Sequence, residues 1–315
     1  MDIMEWIRSG DPSLDYLVDR DLFDKKNESK HNNIGKSGWC FEYIKNRNPD
    51  GSWGNRFYQP KWICSHYTIL ELRNLEYPPT DSLLQKEINR IGNEEIASDG
   101  GINPSVTMDV SDTCVTAMYL NYAIYYQADM QIIERIIDYL LEQRMDDGGY
   151  NCNFNQKGAV HSSFHTSICV LEAFQTYISA KHTYRIIEVL QSKDSIIGFL
   201  LAHKLFRSSR NNEIVDNKML TMTYPFRWKY TTLRALNAFV DCNVKYDNRM
   251  DEVLDLIENK RGNDNKWKIQ SSYPGKEFFK MEEAGKPSKI ITYMALKILR
   301  KYRNLDLTIA SRTEN

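Results

Sequence analysis

The chain reads as all-α, an α/α toroid of two concentric helix rings, and three observations predict it. A short turn recurs at near-constant spacing, each copy separates two kinds of helix, and strand signals are nearly absent. The turn is Asp-Gly followed by an aromatic or aliphatic residue. Its copies are Asp50-Gly51-Ser52-Trp53, Asp99-Gly100-Gly101-Ile102, Asp147-Gly148-Gly149-Tyr150 and, degraded, Asp264-Asn265-Lys266-Trp267. The first three begin 49 and 48 residues apart, and the fourth lies 117 further on, room for two units with one turn rewritten. A fixed period of this size marks a supersecondary unit that buries its apolar face only by stacking.

Within a unit, a helix with Thr near its start follows the turn, with small or apolar residues three and four positions on. Thr68 with Leu72, Thr113 with Thr116 and Ala117, Thr166 with Cys169 and Val170, Thr232 with Ala235 and Leu236, and Thr292 with Ala295 and Leu296 form this series. That spacing lays them on one face. The helix before a turn is amphipathic, as at 130–145, where Met130, Ile133, Ile136, Ile137, Leu140 and Leu141 share a stripe. Buried helices expected at 61–76, 110–127, 162–178, 226–241 and 287–303 would form the inner ring, with their N-terminal ends at one mouth. Gly closes each turn with positive φ, and Asp bonds nearby backbone N–H groups.

Residues 1–303 form one domain in this reading, with N-terminal helices and a polar loop over 1–35, repeats over 36–303 and a tail over 304–315. Polar connections at 207–218 and 261–287 are long enough to cover a mouth. A net charge of −1 argues against general nucleic-acid binding. The apolar runs are too short for a membrane span, and the N-terminus has no basic-then-apolar leader. Six cysteines without a CxxC pair suit a reduced, cytoplasmic setting.

The Asp-Gly-Gly-aromatic turns with their Thr-led helices resemble the terpenoid cyclase and protein prenyltransferase superfamily, over roughly residues 36–303. The runs Phe57-Tyr58-Gln59-Pro60-Lys61-Trp62, His161-Ser162-Ser163-Phe164-His165-Thr166 and Tyr224-Pro225-Phe226-Arg227-Trp228 are similar to single-toroid bacterial squalene-cyclase-like or prenyltransferase-like proteins. Two site patterns follow from the resemblance. Prenyltransferases hold zinc with Asp-x-Cys at the start of one inner helix and His at the start of a later one. Asp112-Thr113-Cys114 and His165 match, and the Thr register makes Asp112 and His165 equivalent positions. Carboxylate, thiolate and imidazole leave a fourth place for water or a substrate thiol. The same residues also admit structural roles, Asp112 as a cap, Cys114 and His165 as core.

Class II cyclases instead use Asp-x-Asp-Asp as the proton donor. Asp109-Val110-Ser111-Asp112 aligns with it, but Ser111 replaces the donor, leaving Asp109 or Asp112 as the acid of a metal-free cyclase or isomerase. The stretch 106–111 also lacks the Arg and Lys with which prenyltransferases grip a diphosphate; Arg227, Lys229 and Lys289 are the other sources of charge. His161, Cys64, His66 and Cys152 are further candidates near the same mouth.

The substrate cavity is expected among Trp62, Tyr67, Phe164, Tyr224, Arg227 and Trp228, with an apolar, isoprenoid-like small molecule as ligand. The sequence thus leads to the expectation of an enzyme with a central zinc site of Asp112, Cys114 and His165. A non-catalytic lipid- or partner-binding toroid and the metal-free acid catalyst stand beside it as alternatives.

Overall fold

A computed structural model describes residues 2–105, 107, 109–270 and 274–306. Among them the chain is all-α, with isolated β-bridges and no longer strand. The helices are α1 (Ile3–Arg8), α2 (Pro12–Leu22), α3 (Glu28–His31), α4 (Gly38–Lys45), α5 (Ser65–Asn74), α6 (Ser82–Glu94) and α7 (Thr113–Tyr125). They continue as α8 (Met130–Glu142), α9 (Asn153–Lys157), α10 (Phe164–Ser179), α11 (Ile186–Ala202), α12 (Thr232–Asp241), α13 (Asp251–Asn259) and α14 (Lys289–Tyr302).

Two kinds of helix alternate after α4. In α7 every residue from Thr113 to Ile124 is buried, and α14 is buried over most of its length. By contrast α8 buries the stripe Ile132, Ile133, Ile136, Ile137, Leu140 and turns its charges outward. Contacts run from α5 to α7, then α10, α12, α14, α2, α4 and back to α5. The amphipathic helices pack on this circuit, α8 against α6, α7 and α11, and α13 against α12 and α14. No described helix is long and apolar enough to cross a membrane.

The turns explain the order. Gly51, Gly100 and Gly148 have φ of +97°, +89° and +92°, a region that L side chains disfavour. Two residues further on the chain drops into the core: Trp53, Ile102, Tyr150 and, in the degraded copy, Trp267 are all fully buried. Each buried N–H donates to a hydroxyl near the start of the following helix. The pairs are Trp53 to Ser65 (3.0 Å), Ile102 to Thr116 (2.9 Å), Tyr150 to Ser167 (2.9 Å) and Trp267 to Thr292 (3.1 Å). The second glycine is a matter of space, since a Cβ on Gly101 or Gly149 would lie 2.5 or 2.6 Å from Ser111 or Ser167 Oγ. The repeat is therefore real at the level of hydrogen bonds.

It is not the Thr register. The N-caps of α5, α7, α10, α12 and α14 are Cys64, Asp112, Ser163, Thr231 and Ser288. Counted from these, Thr113 is the first helical residue of α7 and Thr166 the third of α10, so Asp112 and His165 are not equivalent. The position matching Asp112 is Ser163. Thr near a helix start has several uses, so it aligns helices only to within a turn.

Candidate functional site

The start of α7 is held in place before any ligand is considered. Asp99 accepts from Gly101 N (3.2 Å) on one oxygen and from Ser111 N (3.1 Å) and Ser111 Oγ (3.0 Å) on the other. Asn155, from α9, donates to the same Asp99 carboxylate at 3.0 Å. The 109–112 segment is thereby aimed so that Asp112 caps α7, its Oδ1 accepting from Cys114 N (3.0 Å) and Val115 N (3.1 Å). A cap carboxylate sits well at the positive end of a helix.

The loop after the third turn brings in Cys152. Its N–H donates to Thr166 Oγ1 at 3.2 Å, and its thiol donates to Asp112 Oδ1 at 3.0 Å. Its sulfur also accepts from Cys114 N at 3.2 Å. One ligand atom from each of Asp112, Cys114 and Cys152 lies within 4.8 Å of the others. Two sulfurs and a carboxylate oxygen are ligand types that a metal ion such as zinc takes. The hydrogen bond to Cys152, then burial, holds the Cys114 thiol well above the ordinary range, so metal loading must release protons.

His165 is outside this set, a correction to the sequence reading with a clear cause. Its Nδ1 accepts from Tyr230 N at 2.8 Å. A backbone N–H can only donate, so the neutral ring carries its proton on Nε2 and has no lone pair left for a metal. Burial, then Lys229 and Arg234, push its pKa down to about 4, which keeps the ring neutral. Cys152 stands where the sequence places His165.

The remaining predicted residues scatter. Asp109 is exposed, and its backbone carbonyl accepts from Ser98. His161 is exposed and pairs with Arg210 at 2.8 Å. His66 is buried beside Tyr122, and burial drops its pKa to about 3. Cys64 is the buried N-cap residue of α5. Phe164 packs against Phe199, His203 and Tyr230 in the core. Trp62, Tyr224 and Arg227 share a pocket of about 250 Å³ with residues 277–284. Tyr67 lies against Trp62 with ring centres 4.6 Å apart, and Trp228 against His165 at 5.1 Å. Lys61 and Lys229 place their ammonium groups 5.7 and 3.8 Å from the Trp228 ring centre. Sequence reading had no way to bring Lys61 there.

The larger cavity, about 920 Å³, is elsewhere. Residues from the C-terminal turns of α2, α5, α7 and α10 line it, with parts of α12 and α14. Its wall is charged, and the charges are paired. Arg20 meets Glu76 at 2.7 Å, Arg234 meets Glu172 at 2.6 Å, and Lys297 meets Asp241 at 2.6 Å and Asp21 at 3.2 Å. Burial opposes the charge on Asp21, but Lys297 and Arg20 overcome it and hold that carboxyl well below the usual range. Neither cavity is lined by Asp112, Cys114, Cys152 or His165.

Neither protein-family models nor curated proteins give a match to this sequence.

Proposed function

We propose that the chain is a zinc-dependent enzyme on an α/α-toroid scaffold of the terpenoid cyclase and protein prenyltransferase kind, acting on an apolar, isoprenoid-like substrate at Asp112, Cys114 and Cys152. The convergence of one carboxylate oxygen and two cysteine sulfurs at the start of a buried helix carries this reading. The closed circuit of helix contacts supports the toroid. Zinc held there would lower the pKa of a fourth ligand, water or thiol, to give a nucleophile at neutral pH.

The chain's own residues supply the rest. Helix capping fixes Asp112, and Thr166 fixes the backbone of Cys152. Along α10 the neighbour of Thr166 is His165, whose ring meets Trp228, so the cluster and the lysine-flanked indole lie on adjacent residues. The absence of bases in 106–111 predicts little gain from a diphosphate head. Lys61 and Lys229 beside Trp228 reverse that expectation, and an isoprenoid diphosphate is expected to bind more tightly than its alcohol, with the margin shrinking as salt rises.

Metal analysis of protein purified without a polyhistidine tag is the test. One zinc per chain is expected, lost in Cys152→Ser and retained in His165→Ala. A metal-free native protein overturns the proposal. It leaves the second reading, a non-catalytic binding toroid, which the separation of both cavities from the cluster favours.

A further inference from the structure

Arg227 ends the run Tyr224-Pro225-Phe226-Arg227, and Trp62 ends the similar run Gln59-Pro60-Lys61-Trp62. Both have positive φ, +55° and +80°. The two side chains meet, the guanidinium carbon lying 4.2 Å from the Trp62 ring centre. Arg227 is only 6% exposed, yet its Nη1 has no hydrogen-bond partner among the described residues. Its Nη2 reaches Glu277 Oε1 only at 3.9 Å, a long and half-wet contact. A buried cation with an idle donor is costly unless something completes it.

The space that Arg227 lines is the 250 Å³ pocket, walled by the rings of Tyr43, Trp62, Tyr224, Phe278 and Phe279. Trp62 fixes the pocket's lid, donating from Nε1 to Pro274 O at 2.9 Å. An apolar cavity of about 150 Å³ holds benzene, so this one has room for a ring and a small polar group. Glu282 also lines it, but its carboxylate is occupied at the start of α14 by Ser288 and Lys289 N. With Glu277 and Glu283 near, and Glu71 buried behind Tyr224, a polyanion would be opposed. A monoanion is opposed less, and the Arg227 guanidinium offsets it.

We propose that this pocket is a binding site for a small aromatic carboxylate, its carboxylate on Arg227 and its ring among Tyr43, Trp62 and Phe279. The ligand takes the idle donor and displaces the loose contact with Glu277. The site is separate from the metal cluster, and binding is measured without reference to metal, so its failure leaves the zinc reading standing.

The experiment is calorimetric titration of the full chain with benzoate and with its uncharged isostere benzamide at one salt concentration. Benzoate is expected to bind at least tenfold more tightly than benzamide. Arg227→Gln should abolish that preference. Glu277→Gln, a change at an exposed position that leaves the fold intact, should tighten benzoate severalfold and leave benzamide unchanged, which keeps the test decisive if Arg227→Gln fails to fold. Equal affinity for the two probes, binding of neither, or indifference of benzoate to Glu277→Gln overturns the assignment.

Discussion

The two ends of the circuit of buried helices treat polar groups in opposite ways. Towards the C-terminal turns of α2, α5, α7 and α10, Arg20, Glu76, Glu172, Asp21 and Asp241 line the 920 Å³ cavity, with Arg234 reaching it from the first turn of α12 and Lys297 from the middle of α14, and each has an opposite charge within 3.2 Å. At the N-terminal end of α7, Asp112, Cys114 and Cys152 crowd together with only thiol and backbone N–H protons between them, and Arg227 Nη1 has no hydrogen-bond partner among the described residues. Saturated charge holds a wall in place. Unsaturated donors and acceptors are what a metal or ligand can complete, so the smaller, less conspicuous end is the better place to look for chemistry.

Breaking the saturated end should cost the most. Arg234→Met leaves Glu172 without its 2.6 Å partner and removes the donors to the Arg227 and Lys229 carbonyls. A loss of about 3 kcal/mol is expected, at the low end for a buried pair because Glu172 is partly exposed. Chemical denaturation reads it, and a loss under about 1 kcal/mol would mean that the wall's charges are ornament.

Glu71, in the second half of α5 and beside Arg227, is tested through pH. Both its oxygens are buried, and burial, opposed first by Arg227 and then by Tyr224, pushes its pKa up to about 7 from 4.5. The unfolded chain therefore gives up this proton first. The stability Glu71 contributes is full below pH 4.5 and lost as pH rises through 7, by roughly 3 kcal/mol. Glu71→Gln should flatten that decline, so its advantage over the native protein should grow between pH 5 and 8 in thermal melts. A constant difference across that range would place the carboxyl in water.

Smaller effects are expected at the turns. Thr116→Val keeps the shape but strands the buried Ile102 N–H, at about 1–2 kcal/mol. Ser167→Ala should do the same to Tyr150, and agreement between them would show that the repeated bond is one device used twice. The smallest stability change belongs to Cys152→Ser. It should stay under about 0.5 kcal/mol in metal-free protein, since a half-buried thiol is replaced by a hydroxyl able to make the same bonds to Asp112 and Thr166. Its effect should appear in metal content instead.

Much of the helical layout was legible because it rests on local rules. Asp-Gly marks the turns, and Trp53, Ile102, Tyr150 and Trp267 are buried as their apolar character requires. The inner segments fall within two to six residues of the observed starts, the shortfall arising where Lys61–Cys64 and Phe226–Thr231 run extended or turn before their helices begin. The site was half legible. Asp112-x-Cys114 lies within one helical turn, where spacing alone brings the two together. Cys152 comes from 38 residues further on, through a loop whose path depends on Asp99, Asn155 and Thr166. His165 was misplaced because the Thr register slides by two residues between α7 and α10.

The sequence by itself determined the helices, the turns and which faces are buried, since periodicity, glycine and apolar stripes act over a few residues. Only the tertiary structure decided which helices neighbour one another, that Cys152 rather than His165 meets Asp112, and that Arg227 is left with a donor unfilled among the described residues. Those outcomes depend on pairing between residues tens to hundreds of positions apart. A hydrogen bond such as Tyr230 N to His165 settles a ring's tautomer, and with it whether that ring can ligate, in a way no local pattern records.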